Sequence, residues 1–218
     1  MRTRIIASRS SIGLRMTVCA GALLAGSAAH ANLLTNGSFE TPIVEGGYYV
    51  HRNGAELTGW TLFSSYRGTV HFDTTYDPVA DGTQAVQIEV GQDWISQSFA
   101  TKIGSEYAVS FALSAYSGYG SGCPPSPCKA TLDVTAGSFS GSYIGTSAGY
   151  VTHTLNFVAD SAVSTLTFKN AAAAGQWWNY SHLDAVSVVP VPEVPEPAAA
   201  LLLIGGLGML RIRTRRRS

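Results

Sequence analysis

Tyr107-Ala108-Val109-Ser110-Phe111-Ala112-Leu113-Ser114-Ala115 is the stretch whose reading decides the fold. Larger apolar side chains at Tyr107, Val109, Phe111 and Leu113 alternate with Ala108, Ser110, Ala112 and Ser114. Successive residues of a strand point to opposite faces, so a period of two puts the large residues on one face and the small ones on the other. The same alternation recurs in both directions. Val86, Ile88 and Val90 alternate with Gln87 and Glu89 on the amino side. On the carboxyl side, Leu132 and Val134 repeat it, then Val151, His153, Leu155 and Phe157, then Leu166 and Phe168, and finally Val186 and Val188. Turn residues separate these runs at Asp81-Gly82, Ile103-Gly104, Ala136-Gly137 and Ser147-Ala148-Gly149. No stretch of the body carries a 3.6-residue period, and Ala171 to Ala174 could form one helical turn at most. Roughly nine to eleven short strands without crossover helices predict an all-β fold, an antiparallel β-sandwich of the jelly-roll kind.

The ends of the chain read differently. Arg2, Arg4, Arg9 and Arg15 precede an apolar run from Met16 to Ala29, closed by Ala29-His30-Ala31. A charged start, an apolar middle and an A-x-A site make residues 1–31 a secretory signal peptide, with the Sec machinery as partner. Residues 32–189 form one domain, large enough to bury a core without staples. Residues 190–197 are a proline-rich, extended linker. Residues 198–218 are a hydrophobic helix and a basic tail. At ~1.5 Å per helical residue the run Ala198 to Leu210 spans roughly 20 Å, against a hydrocarbon core of about 30 Å. It is the only expected membrane contact and holds poorly, which suits a segment that is read and then removed. The alternative is an ordinary tail anchor with its arginines in the cytoplasm.

Lys plus Arg and Asp plus Glu both number 14, so the formal net charge is zero. Nine of the basic residues lie in the two end segments. The body keeps Arg52, Arg67, Lys102, Lys129 and Lys169 against twelve carboxylates, leaving it about seven charges negative. Without a basic patch, a nucleic-acid partner is disfavoured. Cys123 and Cys128 flank Pro124-Pro125-Ser126-Pro127, and export would let them form a disulfide that stiffens one loop. A two-cysteine metal site is the alternative, but histidines are lacking nearby.

Catalytic strings are weak. Gly145-Thr146-Ser147-Ala148-Gly149 matches G-x-S-x-G, but a nucleophile elbow needs a helix after it and a strand-like run follows here. A glycine-rich hairpin turn explains it better. No H-E-x-x-H occurs, and His153, sharing a face with Val151 and Leu155, reads as a satisfied, half-buried histidine. Carboxylate pairs such as Asp73 with Asp77, or Asp81 with Glu89, arise easily by chance. The aromatic residues carry more. Gln176-Trp177-Trp178-Asn179-Tyr180 puts three rings and two amides in one segment before the closing strand. Rings stack on the apolar faces of sugars, and amides take the edge hydroxyls. Trp177, Trp178, Asn179 and Tyr180, with Gln176 as a polar partner, are therefore the candidate glycan contacts.

Two resemblances add to this reading. Val194-Pro195-Glu196-Pro197, the short apolar run and Arg211, Arg213, Arg215, Arg216 and Arg217 resemble the PEP-CTERM sorting signal of biofilm-forming Gram-negative bacteria. That resemblance implies processing by an exosortase during export, in cells that secrete exopolysaccharide. The second is carried by an ordered set of segments. They are Asn32 to Glu40, Thr58-Gly59-Trp60, Asp81 to Val86, Ile95 to Phe99, Tyr107 to Phe111 and Leu183 to Val188. Together they resemble the galactose-binding-like jelly rolls of secreted carbohydrate-binding modules, the choice-of-anchor proteins and a related plant cell-wall family. The Cys123 to Cys128 insert and the 176–180 stretch depart from that pattern. The resemblance implies glycan binding, a core position for Trp60, and a structural calcium ion near the joined chain ends, held by Glu40 and Asp184. Calcium takes several oxygen ligands, and backbone carbonyls can complete such a set.

The expectation is an exported, non-enzymatic glycan-binding protein of the cell surface or matrix, with exopolysaccharide as ligand. A structural or adhesive matrix protein working through edge strands is the rival. A glycan hydrolase is a third reading.

Overall fold

Eleven strands arise from the alternating segments in the computed structural model, which describes residues 31–52, 57–65, 67–116, 127–176 and 178–192. They are β1 (Tyr48–His51), β2 (Thr61–Phe63), β3 (Thr69–Asp73), β4 (Gln84–Ile88), β5 (Trp94–Ala100) and β6 (Glu106–Ala115), followed by β7 (Lys129–Ala136), β8 (Phe139–Thr146), β9 (Val151–Val158), β10 (Val163–Asn170) and β11 (Ser181–Pro190). Two antiparallel sheets result, one ordered β1-β3-β4-β11-β6-β9 and the other β2-β5-β10-β7-β8. The fold is the all-β sandwich that the period-two reading predicts. No helix occurs among the described residues, and none there is long and apolar enough to cross a membrane.

The space between the sheets takes alternate residues from most strands, while β1 and β3 add no apolar side chain to it. Val109, Phe111 and Leu113 from β6 meet Leu166 and Phe168 from β10, and Phe39 and Trp60 join them from loops. Phe111 and Phe168 stand edge to face at 5.1 Å. Fully burying such a side chain is worth roughly 1.5–3 kcal/mol, so this layer dominates stability. Trp60 is core, its Nε1–H donating to the Asn36 carbonyl at 3.0 Å. His153 is half-buried between Phe111 and Tyr143, as its strand phase suggests, but its Nε2 has no hydrogen-bond partner, so it is not satisfied.

The two ends of the described domain meet. Leu33 N–H donates to the Val188 carbonyl and Val186 N–H to the Gly37 carbonyl, both at 2.9 Å. The register of β11 against β6 shifts between Asp184 and Ser187, where Ala185 takes a left-handed φ of 50°. That bulge lets the amino-terminal segment pair with β11 while Asp184 turns to the outer face.

The 145–149 turn behaves unlike a hairpin. It joins β8 in one sheet to β9 in the other. A Cβ on Gly145 would lie 2.5 Å from the Ser114 carbonyl oxygen of β6, so the glycine permits the close approach where the chain changes sheet.

Candidate ligand-binding cleft

The outer face of the six-stranded sheet is set by β4. Val86 and Ile88 face the core, so Ala85, Gln87 and the following Glu89 face outward. Strand register extends this face sideways. Val70 pairs with Gln87 and Phe72 with Ala85, while Tyr48 pairs with Phe72. On the other side His182 pairs with Gln87 and with Ser114. The turn after β3 folds back over Phe72, placing Tyr76 against it at 5.5 Å.

A cleft of about 500 Å³ opens beside this turn. Its walls carry a ladder of rings. Tyr48 and Tyr76 lie 5.1 Å apart, Tyr76 and Tyr116 stack at 6.0 Å, and Tyr116 and Tyr180 meet edge to face at 5.8 Å. Trp178 closes the rim, exposed and held at a φ of 86°. That region is uncommon for a bulky residue and costs of order 1–3 kcal/mol, the kind of strain found at binding sites.

The floor is polar and buried. His182 Nε2 lies 2.8 Å from Gln87 Oε1, and Gln87 Nε2 donates to Glu89 Oε1 at 2.6 Å. Asp77 Oδ2 stands 3.7 Å from His182 Nδ1. Burial pushes the His182 pKa down to about 3, so the imidazole is neutral and the contact is not an ion pair. Neutral His182 then donates through Nε2–H to Gln87, which orients the amide toward Glu89. Burial pushes the Glu89 carboxyl up to about 7; its bond from Gln87 and the Arg67 charge oppose that rise, and Asp93 adds to it. Glu89 Oε2 is buried without a hydrogen-bond partner.

The structure divides the candidate stretch 176–180. Trp178 and Tyr180 line the cleft. Gln176 and Asn179 instead line a separate depression of about 290 Å³ with Lys129 and Thr131. Gln176 Oε1 accepts from Ala173 N–H at 3.0 Å. Trp177 lies outside the described residues, as do Cys123 and the sorting motif Val194, Pro195, Glu196 and Pro197. Cys128 is disulfide-bonded, to a partner outside the described residues.

Glu40 and Asp184 come to one loop, residues 80–84, from opposite ends of the described domain. Glu40 Oε1 accepts from Thr83 N–H at 2.9 Å and Gln84 N–H at 3.0 Å, and Oε2 accepts from Thr83 Oγ1 at 2.6 Å. Asp184 Oδ2 accepts from the N–H groups of Ala80 and Asp81, both at 2.8 Å, and Oδ1 from Ala185 N–H at 2.6 Å. One oxygen of each carboxylate is thus filled by two donors. The pair could serve calcium only through the other oxygen of each. No group of three or more His, Cys, Asp or Glu side chains placed to hold a metal occurs among the described residues.

Arg67, Tyr76, Gln87 and Glu89 are site residues that the sequence reading did not select. A signal existed: Gln87 and Glu89 are polar residues in phase with each other, opposite the core side of a central strand. Tyr76 has no such signal, because only the fold of its turn brings it over the sheet.

Residues 32–188 match the family described as "Protein of unknown function (DUF642)". No curated protein matches the chain. Among solved structures, the chain is similar to the CBM22-1 xylan-binding domain from Paenibacillus barcinonensis Xyn10C, at 13% identity over 67% of this chain and 94% of that one, with a TM-score of 0.45. It is similar to TmCBM61 in complex with β-1,4-galactotriose, at 14% identity over 74% and 99% of the two chains, with a TM-score of 0.41. It is also similar to CBM36 in complex with calcium and xylotriose, at 15% identity over 59% and 92%, with a TM-score of 0.40. Xylan, galactotriose and xylotriose are ligands of those proteins.

Proposed function

The chain belongs to the DUF642 family, and from that premise we propose that it is an exported, non-enzymatic protein that binds glycan in the cleft on the outer face of its six-stranded sheet. One observation carries this reading: an open groove of about 500 Å³ walled by five aromatic side chains over a buried polar floor. Rings hold the apolar faces of sugars, and a few fixed polar groups set orientation. Glu89 is the only carboxylate among the described lining residues. Glycoside hydrolysis ordinarily uses two carboxylates flanking the bond, so one supports binding rather than cleavage. Release of reducing sugar would contradict that part.

Export through Sec, sorting by an exosortase at Val194 to Pro197, and a final place at the cell surface or in the matrix belong to the same proposal. Their support is the sequence of the end segments. Mass spectrometry of the mature protein tests them: loss of residues 1–31 and of the basic tail is expected, and an intact tail would contradict sorting. Calcium at Glu40 and Asp184 is a separate part, tested by melting with excess chelator. A fall in melting temperature supports it and an unchanged value removes it.

A glycan array, followed by affinity electrophoresis in the exopolysaccharide of the producing organism, tests the main reading. Retardation is expected. Absence of binding to every glycan would overturn it.

A further inference from the structure

Glu89 is 3% exposed, yet it lines the cleft. Its Oε1 accepts from Gln87 at 2.6 Å, while Oε2 has no hydrogen-bond partner. A buried carboxylate oxygen without a donor is unfavourable, and structures rarely keep one without a use for it. The neighbouring groups limit what the missing donor is. The Arg67 side chain already sets a positive charge near this carboxylate. The missing partner is a hydrogen-bond donor, and beside a wall of rings the donor in reach is a sugar hydroxyl. An acidic saccharide would bring a second carboxylate beside a desolvated one. Arg67 is exposed and its attraction is screened by solvent, whereas repulsion from buried Glu89 acts in a lower dielectric. Repulsion therefore prevails. The aromatic ladder fixes the plane of a sugar ring and turns its edge hydroxyls toward the floor.

Resting on the glycan-binding reading above, we infer that Glu89 is the specificity-determining acceptor of this cleft, taking a hydroxyl hydrogen bond of a neutral sugar on Oε2 and turning away acidic saccharides. The buried chain behind it keeps it aimed. His182 orients Gln87, and Gln87 orients Glu89.

The site is then sensitive to pH. The ionised carboxylate accepts a charge-assisted bond, and the protonated one loses that acceptor. Binding is stronger above neutral pH than below it, because the carboxyl titrates near 7. The groups facing Glu89 are Arg67 before β3, Tyr76 after it, Gln87 on β4, Asp93 before β5 and, through Gln87, His182 on β11 with Asp77. Neutral His182 and the Tyr76 phenol, whose pKa burial raises, keep their protonation state between pH 5.5 and 8.5.

Affinity electrophoresis of the full chain at pH 5.5 and 8.5 tests this, in gels of xylan, galactan, β-glucan and polygalacturonate. The proteins are wild type, Glu89→Gln and Trp178→Ala. The wild type is expected to be retarded by at least one neutral polysaccharide, more at pH 8.5, and not by polygalacturonate. Glu89→Gln is expected to bind roughly tenfold more weakly at pH 8.5, the ratio equivalent to one charge-assisted bond, and to lose the pH dependence. Its melting temperature shows whether it folds. Should it misfold, Glu89→Asp replaces it, shortening the reach of the carboxylate while keeping its charge, with the same loss expected. Equal retardation of variant and wild type at both pH values overturns the inference while the glycan reading stands on Trp178→Ala losing affinity. Preferential binding of polygalacturonate also overturns it. No retardation of the wild type on any gel overturns the glycan reading, and this inference with it.

Discussion

Asp184 and Glu89 are both buried carboxylates on the outer face of one sheet, and they are treated in opposite ways. Asp184 is wholly buried and receives three backbone N–H donors. Glu89 is almost as buried and receives one side-chain donor, leaving one oxygen unpaired. Burial raises both, Asp184 to about 6 and Glu89 to about 7. Burial and a shifted pKa therefore do not separate a structural carboxylate from a functional one. The hydrogen-bond tally does. Asp184, with Glu40, fastens the 80–84 loop to the joined ends of the domain. Glu89 faces a cleft with a bond still to make.

Breaking the Asp184 clamp is expected to have the largest effect. Asp184→Ala leaves the N–H groups of Ala80, Asp81 and Ala185 without their acceptor. The loss is roughly 3 kcal/mol or more, and at about 2–4 °C per kcal/mol for a domain of this size the melting temperature falls by roughly 6–12 °C. A drop of a degree or less would show that the clamp is not structural. A smaller effect is expected at the other side of the loop. Gly82 has a φ of 62°, and a Cβ there would lie 2.2 Å from Glu40 Oε1. Gly82→Ala displaces that carboxylate and should cost about 1–3 kcal/mol, read as a lower denaturant midpoint.

Glu89→Gln sharpens the contrast, because its effect on stability is smallest and of opposite sign. Glu89 has a folded pKa above its ordinary value, so the folded state binds more protons than the unfolded one from about pH 4.5 to 7. That contribution to stability is present below the unfolded pKa and is lost as pH rises through the folded one. The variant is expected to melt above the wild type at pH 8, with the difference shrinking toward pH 5. A variant less stable than wild type at pH 8 would place Glu89 with Asp184, as a structural group.

The sandwich was legible because its core strands alternate large and small residues. The strand Tyr107 to Ala115 needed nothing else. β8 was harder, since Ser140, Gly141, Ser142 and Gly145 give no apolar phase, and its pairing with β7 supplies the order instead. The 145–149 turn read as a hairpin because a local string does not say which sheet receives the next strand. The cleft was half legible. Trp178 and Tyr180 stood out as a local cluster, whereas Tyr48 and Tyr116 reach them through strand register across distant segments and Tyr76 through the turn after β3. Buried His51 of β1 and His71 of β3, their ring nitrogens 3.4 Å apart, left no linear signal either.

The central claim is that the ring-walled cleft holds a glycan. Calorimetric titration of wild type and Trp178→Ala with the oligosaccharide that the array selects tests it most directly. The account predicts binding by the wild type, and at least a tenfold weaker constant for a variant whose melting temperature is unchanged. Equal affinity of the two proteins would contradict it, since the sugar would then sit elsewhere.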